Sequence, residues 1–385
     1  MKLFFGFLFV LVTSVAYSQL ISDSLLIDGN YRHFHFNKPI NGVLNGSLFF
    51  IMHGSGGSGK RIARHATKLE AIAAKENLLI VYPEGYKQYW NECRKFATSA
   101  ANKENINEAN FFKEMIRYFR DKYGINENKV VAAGFSGGGH MAYKLGLTMP
   151  DKIKGIAAIV ANMPDSASMD CTPVRKALPV LIVNGTEDGT NPYHGGEMYV
   201  NNSSYGVVRS TDSSFHYWSS LAGYNGEAIK KVLPDTDPKD GKVIESYSYR
   251  DANKPSVTLL KVVGGKHDYP NDIDVYLYAW DFFKSQVKEI GIGIADPSKK
   301  IQLVEAACGQ CRLGLPGQSC DLAVRINGKS YFVDGTSIDD HGDAHAKDGF
   351  CEAVRKAEVQ GEIVDNRFKA TYFKLAGNNE GEKRK

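Results

Sequence analysis

Residues 130–138 read Val130-Val131-Ala132-Ala133-Gly134-Phe135-Ser136-Gly137-Gly138, an apolar run that ends in a G-x-S-x-G sequence. A helix-compatible stretch follows from His140 to Leu145. Between a strand and a helix, this motif places a serine on a sharp turn with its hydroxyl exposed. Such a serine becomes a nucleophile when a base and oxyanion donors lie beside it. Isolated matches also occur in ordinary Gly-rich loops, so the rest of the chain must decide the role of Ser136.

Apolar runs that predict buried strands alternate with helix-period segments between about residues 48 and 286. The predicted strands are Leu48–Met52, Leu78–Tyr82, Val130–Ala133, Gly155–Ala161, Pro179–Asn184 and Val257–Val263. The helix faces are Phe112, Met115, Ile116 and Phe119, and then Val275, Tyr278, Phe282 and Phe283. The first of these two sets has the spacing i, i+3, i+4, i+7 of one helix face. Alternation of this kind predicts an α/β fold with a mostly parallel sheet covered on both faces.

Two further loops supply an acid and a base in the order Ser, acid, His that serine hydrolases of this architecture use. Asp188 follows the strand Val180–Val183, and His267 follows the strand Val257–Val263. An Asp or a His after a strand is often only a polar loop residue. Because the carboxyl ends of parallel strands share one edge of the sheet, Ser136, Asp188 and His267 are predicted to meet there.

The segment His53-Gly54-Ser55-Gly56-Gly57 follows the first predicted strand and resembles the oxyanion element of esterases and lipases. We expect oxyanion donors from Gly54 and Ser55 and from Gly137. The same glycines also fit a dinucleotide fingerprint and nearly fit a phosphate-binding P-loop. The P-loop alternative lacks the Ser or Thr that would hold magnesium, because Arg61 stands there. Neither alternative explains the three triad candidates.

Taken together, six motifs resemble those of the secreted polyhydroxybutyrate depolymerase and feruloyl esterase group, carbohydrate esterase family one in the broad sense. They are His53–Gly57, Tyr82–Gly85, Tyr89–Asn91, Gly134–Gly138, Asn184–Asp188 with Pro192–Gly196, and Gly264–Pro270. The resemblance covers about residues 25–288. It implies an α/β-hydrolase that hydrolyses carboxylic esters in polymers or plant-wall material. It also implies the roles of nucleophile for Ser136, acid for Asp188 and base for His267, and a cleft lined by Trp90 and Asn91.

The chain departs from that family in two places. The family often shows Gly-Gly-His-x-Trp-Pro near the histidine, whereas this chain reads Lys266-His267-Asp268-Tyr269-Pro270. Glu108 stands where an Asp is usual. These changes put the acyl specificity in question rather than the type of reaction.

Cys93 and Cys171, which flank two of the site loops, are predicted to form a disulfide.

The character of the sequence changes after a break at residues 291–297. Residues 300–377 are predicted to form a small α+β domain, with a hairpin turn at Asn327-Gly328, a helix over Phe350–Val359 and a strand pair over Gly361–Leu375. Cys308, Cys311, Cys320 and Cys351 are candidates for two disulfides or a four-cysteine zinc site, and disulfides are preferred. Asp340, His341, Asp343 and His345 are weak metal candidates, with a solvated loop as the alternative. The region resembles small bacterial domains of unknown function, which adds no activity.

The first residues read as a secretory signal peptide, with a basic start, a short apolar core and an Ala16-Tyr17-Ser18 end. The expected organisation is a leader at 1–18, a catalytic domain at 19–290, a linker at 291–299, the small domain at 300–377 and a polar tail at 378–385. We therefore expect a secreted or periplasmic protein with no membrane association after cleavage. The formal charge of +4 gives no case for nucleic acid.

These patterns predict an exported serine esterase that acts on feruloyl or acetyl esters of polysaccharide, or on polyhydroxyalkanoate-type esters. The expected partner is a polymeric or plant-wall ester substrate, and no cofactor is expected. Two alternatives remain open. One is a serine peptidase of the prolyl-oligopeptidase type, and the other is a polymer-binding protein on a hydrolase scaffold.

Overall fold

The computed structural model describes residues 20–38, 43–200, 202–251, 254–284, 291–292, 295–296, 298–341, 344–346 and 348–376. The predicted leader and polar tail lie outside the described residues, and the predicted linker is described only in part. In the described part of the chain, no helix combines the length and the apolar character that a bilayer crossing needs.

Within the described residues, the larger domain is built on a ten-stranded sheet with seven α-helices. Its strands are β1 (Leu20–Ile27), β2 (Asn30–Asn37), β3 (Ser47–Met52), β4 (Leu78–Pro83), β5 (Val130–Phe135), β6 (Ile156–Ile159), β7 (Val180–Gly185), β10 (Ile229–Val232), β11 (Val243–Asp251) and β12 (Lys254–Val263), with β8 (Gly196–Val200) and β9 (Ser203–Val208) as a separate hairpin. Its helices are α1 (Gly59–Ile62), α2 (Thr67–Ala73), α3 (Ala100–Lys103), α4 (Glu108–Tyr123), α5 (Gly137–Thr148), α6 (Thr211–Leu221) and α7 (Val275–Lys284).

The sheet is parallel in the middle and antiparallel at both ends. Its order is β1-β2-β4-β3-β5-β6-β7-β12-β11-β10, and the six strands from β4 to β12 run parallel. This topology confirms the predicted α/β-hydrolase fold. All six predicted strands lie in this parallel part of the sheet. The outer strands, an N-terminal hairpin and the pair β10–β11, were not predicted.

Side chains on either side of the central strands enter two separate cores. Leu48 and Phe50 of β3 pack into the core that contains helices α4, α5 and α6. Phe49 and Ile51 of the same strand pack into the core that contains α2 and α7. This alternation follows from the two-residue period of a strand, and it places helices on both faces. As predicted, Phe112, Met115, Ile116 and Phe119 lie on the buried face of α4.

The C-terminal domain is a small β-barrel rather than the predicted α+β fold. Its strands are β13 (Gly291–Ile292), β14 (Gln302–Cys308), β15 (Leu322–Ile326), β16 (Lys329–Asp334), β17 (Arg355–Val364) and β18 (Arg367–Leu375). β17 pairs with both β14 and β18, so five strands close on themselves, and β13 adds to β18 at the side.

The sequence predictions for this domain are partly confirmed. The hairpin at Asn327-Gly328 forms, and both residues have positive φ, as its two-residue turn requires. The predicted helix over Phe350–Val359 is wrong, because residues from Arg355 onward form β17. Pairing along both edges of that strand outweighs the local helix preference of its Ala, Glu, Arg and Lys residues. The predicted strand pair is present, although it begins earlier, at Arg355.

Candidate active site

Ser136 lies on the turn between β5 and α5, in a backbone conformation that is rare for any residue other than glycine. Its φ is 53° and its ψ is −116°. The turn is closed so tightly that a Cβ on Gly134 would lie 2.0 Å from the Gly138 carbonyl oxygen. The Ser136 N–H donates to the Ile159 carbonyl at 2.8 Å, which fixes the turn to the neighbouring strand. The two glycines of the motif are therefore steric requirements of this turn.

Ser136, His267 and Asp188 form one continuous chain of hydrogen bonds. His267 Nε2 lies 2.9 Å from Ser136 Oγ, and His267 Nδ1 lies 2.7 Å from Asp188 Oδ2. The Asp188 side chain is 1% exposed, whereas that of His267 is 22% exposed. A carboxylate on Nδ1 stabilises the tautomer in which Nδ1 carries the proton and Nε2 is free to accept one. The structure thus brings together the three residues that the sequence predicted to meet.

The loops that carry the acid and the histidine are bonded to each other. The Glu187 N–H donates to the Gly265 carbonyl at 2.8 Å, and the Gly264 N–H donates to Thr186 Oγ1 at 2.9 Å. These contacts join the loop after β7 to the loop after β12. They set the distance between the acid and the imidazole before any substrate binds.

Asp188 is held by two backbone donors that sequence reasoning missed. The N–H groups of Thr190 and Asn191 donate to Asp188 Oδ1 at 2.8 and 2.7 Å. Asn191 is in turn bonded to the loop that follows β6, because its Oδ1 accepts the Asn162 N–H at 3.0 Å. The two N–H groups leave the other carboxylate oxygen, Oδ2, for His267. The sequence signal was Asp188-Gly189-Thr190-Asn191, a pattern typical of turns that an Asp side chain caps.

The predicted oxyanion residues lie beside the nucleophile. A Cβ on Gly54 would lie 3.3 Å from Ser136 Cβ, and a Cβ on Gly137 would lie 2.9 Å from the Ser55 nitrogen. Within the described residues, neither the Ser55 N–H nor the Gly137 N–H donates to a protein acceptor. Two free backbone donors beside a nucleophile are the arrangement that stabilises a tetrahedral oxyanion.

The amino-acid sequence of this core matches a family model described as phospholipase/carboxylesterase over residues 47–220. That range includes the segment His53–Gly57, called the oxyanion loop below, together with the Ser136 turn and Asp188. The larger domain, which contains this match, is called the carboxylesterase domain below. The C-terminal barrel matches a second model over residues 302–376, described as a family of unknown function (DUF6370).

The carboxylesterase domain is similar to two esterases of known name. One, from Nocardia uniformis subsp. tsuyamanensis, carries the provisional name esterase NocK. It is 27% identical over 148 residues, which are 38% of this chain and 42% of NocK. The other is feruloyl esterase B of Piromyces equi, 26% identical over 125 residues, 32% of this chain and 23% of that protein. The matched region therefore spans less than half the length of either relative.

Among solved structures, an acetyl xylan esterase from Aspergillus awamori is 13% identical with a TM-score of 0.47, covering 68% of this chain and 98% of that chain. At this level of similarity, the assignment of the fold relies on the strand order described above.

A cleft of about 210 Å³ opens beside the nucleophile of the carboxylesterase domain. One wall is aromatic, because the Tyr269 ring lies 4.4 Å from that of Phe135 and 4.7 Å from that of His65, centroid to centroid. The other wall is the oxyanion loop with Ser58 and Arg61. Tyr269, one of the departures from the family pattern, thus lines this cleft, whereas the neighbouring Lys266 is exposed.

Trp90 and Asn91 do not line this cleft, and that prediction is corrected. Trp90 is 2% exposed and donates its Nε1–H to the His53 carbonyl at 2.8 Å. Asn91 is buried, and its side chain donates to the Ile106 carbonyl at 2.9 Å. Trp90 supports the oxyanion loop from the protein side, because its indole ring packs against His53 and Phe112. Asn91 instead joins the segment after Trp90 to the segment before α4.

His53 anchors the oxyanion loop, a role that sequence reasoning did not assign. Its Nδ1 lies 2.7 Å from the Gly54 carbonyl oxygen, and its Nε2 accepts the Gly85 N–H at 2.9 Å. Burial lowers the pKa of His53, which favours the neutral ring that this pair of bonds requires. The neutral ring can therefore donate from Nδ1 and accept at Nε2 at the same time.

The phosphate-binding alternatives for the Gly54–Gly59 segment find no support in the local contacts. The Gly59 N–H, which a phosphate loop would offer to its ligand, donates to Glu84 Oε1 at 2.9 Å. The same carboxylate oxygen lies 2.8 Å from His35 Nε2. Glu84, the acid that a dinucleotide site would use on ribose, is thus a structural anchor for the oxyanion loop. Its hydrogen bond from His35 helps to lower its pKa against the opposing effect of burial.

Glu108, the second departure from the family pattern, stabilises the segment beneath the site. Its Oε2 accepts from Arg32 Nη2 at 2.8 Å, and its Oε1 accepts the Asn91 N–H at 3.2 Å. Both side chains of the ion pair are at most 2% exposed. Burial raises the pKa of Glu108, while Arg32 opposes that shift. The longer side chain of Glu, compared with Asp, reaches both partners at once.

The cysteines separate into one disulfide and one cluster of thiols. Cys93 and Cys171 are bonded as predicted, which ties the segment after Trp90 to the segment before β7. Cys308, Cys311, Cys320 and Cys351 are free thiols, so the expectation of two disulfides among them is not met.

The weak metal candidates of the barrel do not form a described site. His341 is buried, with its Nε2 2.8 Å from Thr336 Oγ1 and its ring 4.7 Å from that of Phe373. It is therefore a core histidine. His345 is exposed, and the side chains of Asp340 and Asp343 lie outside the described residues.

Proposed function

We propose that this protein is an exported serine esterase that hydrolyses carboxylic esters through an acyl-enzyme on Ser136. The observation that carries the proposal is the unbroken hydrogen-bonded chain from Ser136 Oγ through His267 to the buried Asp188. The match of residues 47–220 to the phospholipase/carboxylesterase model supports an ester rather than an amide as the substrate.

In the proposed mechanism, His267 Nε2 takes the proton of Ser136 Oγ as that oxygen attacks the ester carbonyl carbon. Asp188 stabilises the resulting imidazolium through Nδ1, and the N–H groups of Ser55 and Gly137 hold the tetrahedral oxyanion. The intermediate collapses as Nε2 gives its proton to the leaving alcohol, which leaves an ester on Ser136. Water, deprotonated by the same nitrogen, then releases the acid and regenerates the serine.

The cleft favours an aromatic acyl group. Phe135 and Tyr269 present two tilted aromatic rings beside the nucleophile, against which a planar phenyl ring gains offset or edge contacts. Ser58 and Arg61, on the opposite wall, provide donors for a phenolic or methoxy oxygen. The name of the relative feruloyl esterase B agrees with this chemistry. We therefore place feruloyl-type esters of plant-wall polysaccharide ahead of acetyl and hydroxybutyrate esters.

A substrate panel tests both the reaction and the acyl preference. It contains methyl ferulate, acetylated xylan, hydroxybutyrate oligomers and an aminoacyl-proline amide, assayed with wild type and with Tyr269→Ala. Wild type is expected to prefer methyl ferulate. Loss of the Tyr269 ring should lower kcat/KM for methyl ferulate by about tenfold, equivalent to about 1.4 kcal/mol, with little change on the acetyl ester.

The control for that panel is Tyr31→Ala, which removes a tyrosine that is 69% exposed on the outer hairpin. Equal losses on the ferulate and the acetyl ester would mean that Tyr269 only maintains the site. Unchanged ferulate kinetics would place the acyl group elsewhere, and faster turnover of the amide would favour the peptidase alternative.

Export is the remaining part of the proposal. Its support is the apolar leader-like start together with the Cys93–Cys171 disulfide, since such bonds persist in oxidising compartments. The test is to express the full chain, to fractionate the cells with a periplasmic and a cytoplasmic marker protein, and to sequence the N-terminus of the expressed protein. We expect a secreted or periplasmic protein that begins at Gln19. A protein found in the cytoplasm with Met1 retained would contradict export while leaving the esterase proposal intact.

A further inference from the structure

Four cysteine side chains converge at one end of the C-terminal barrel. Cys308 is the last residue of β14, and Cys311 lies in the turn that follows. Cys320 lies just before β15, and Cys351 lies just before β17. The four Sγ atoms all lie within 4.8 Å of one another. Residues far apart in sequence therefore bring their thiols to a single point.

The size of the cluster fits one metal ion. Four atoms no more than 4.8 Å apart have a common centre that is roughly 2.9 Å or less from each of them. Zinc–thiolate bonds are about 2.3 Å long, which places the sulfurs of a regular tetrahedron roughly 3.8 Å apart. The separation of 4.0 Å between Cys311 Sγ and Cys320 Sγ is close to that value. A small contraction around a central ion would complete the tetrahedron.

Hydrogen bonds hold the backbone segments around the cluster together. The Cys311 N–H points to Cys308 Sγ, with the nitrogen 3.4 Å from the sulfur, and such a bond favours a thiolate. The Cys308 N–H donates to the Phe350 carbonyl at 2.9 Å, which joins the first and last cysteine segments. The Arg312 guanidinium lies beside the cluster, where its Nε donates to the Cys351 carbonyl at 2.8 Å.

Two disulfides are the competing arrangement, and the sulfur positions do not favour them. Cys93 and Cys171 of the same chain are covalently joined, whereas the four barrel thiols remain unpaired. Two disulfides would sort the sulfurs into two bonded pairs. All four sulfurs instead lie around a common centre, as the ligands of one metal ion do.

We propose that Cys308, Cys311, Cys320 and Cys351 bind one Zn²⁺ ion as a tetrathiolate site that holds the ends of three barrel strands together. Binding replaces the four thiol protons, which are released to solvent. Because all four positions around the ion come from the protein, the site is structural and leaves no open position for a substrate. This inference is independent of the proposed esterase activity, which uses a different domain.

The test uses the full chain, purified without chelator or reductant. Metal analysis is expected to find about one zinc per chain, and exchange for Co²⁺ should give the sulfur-to-cobalt charge-transfer and visible bands of a tetrahedral tetrathiolate. The double variant Cys320→Ser/Cys351→Ser should lose the zinc and the cobalt bands. The matched control, Cys93→Ser/Cys171→Ser, makes the same chemical change at the disulfide and should keep the full metal content.

Three results would overturn the proposal. They are disulfides mapped among the four barrel cysteines in zinc-free protein, zinc retained in full by the Cys320→Ser/Cys351→Ser variant, and a wild-type cobalt spectrum without thiolate bands. The cobalt spectrum is recorded on the wild-type chain, so the test does not depend on whether a variant folds.

Discussion

Replacing Ser136 with alanine is expected to lower kcat for ester hydrolysis by on the order of a millionfold, to the residual rate that binding and oxyanion donors alone provide. The reason is that the acyl-enzyme cannot form without Oγ, and no other hydroxyl in the described chain lies within hydrogen-bonding distance of His267 Nε2. Initial rates on methyl ferulate, for wild type and variant at equal protein concentration, measure the loss.

The matched control is Ser298→Ala, at an exposed serine outside the carboxylesterase domain. It should retain wild-type rates. If Ser136→Ala were as active as this control, the nucleophile assignment would be wrong. If neither wild type nor variant hydrolysed any ester on the panel while the protein still bound polysaccharide, the binding-protein alternative would replace the enzyme.

Replacing Asp188 with asparagine is the second large effect, an expected loss of about ten-thousandfold in kcat. The amide would offer an N–H where the carboxylate now accepts from His267 Nδ1 at 2.7 Å. The imidazole would then shift to the tautomer that carries its proton on Nε2, which cannot accept the Ser136 proton. Circular dichroism and the urea midpoint should stay near wild type, because Oδ1 still accepts the N–H groups of Thr190 and Asn191.

Asp235→Asn, at an exposed loop aspartate, is the control for that change and should leave the rate unaltered. A loss of less than about tenfold in Asp188→Asn, with His267 and Ser136 intact, would show that another group orients the imidazole. A variant that fails to fold is recognised by its spectrum, and Asp188→Glu then provides a second test of the same position.

The parts of the site that the sequence predicted are those set by local chain geometry. A Gly-flanked serine between a buried strand and a helix favours a tight turn, and polar residues at the ends of parallel strands share one edge of the sheet. These constraints placed Ser136, Asp188 and His267 together. The disulfide between Cys93 and Cys171 followed from having only two cysteines in the larger domain.

The parts that the sequence did not predict depend on tertiary contacts. An indole in a loop near the site can face the substrate or the protein, and the packing of Trp90 against His53 decides for the protein. The segment from Arg355 to Val364 has helix-forming residues, yet it becomes a strand because β14 and β18 pair with its two edges. Cysteine spacing alone likewise cannot separate disulfides from metal ligands, since the separation of the sulfurs in space decides between them.

The most direct test of Ser136 as the nucleophile is active-site labelling with a fluorophosphonate, read by intact mass and by peptide mapping. We expect one adduct per chain, located on Ser136. It should be absent from Ser136→Ala and form far more slowly in Asp188→Asn, while Ser298→Ala should be labelled like wild type. A label on another residue, or an unlabelled wild-type protein that still hydrolyses esters, would contradict the assignment of Ser136 as the nucleophile.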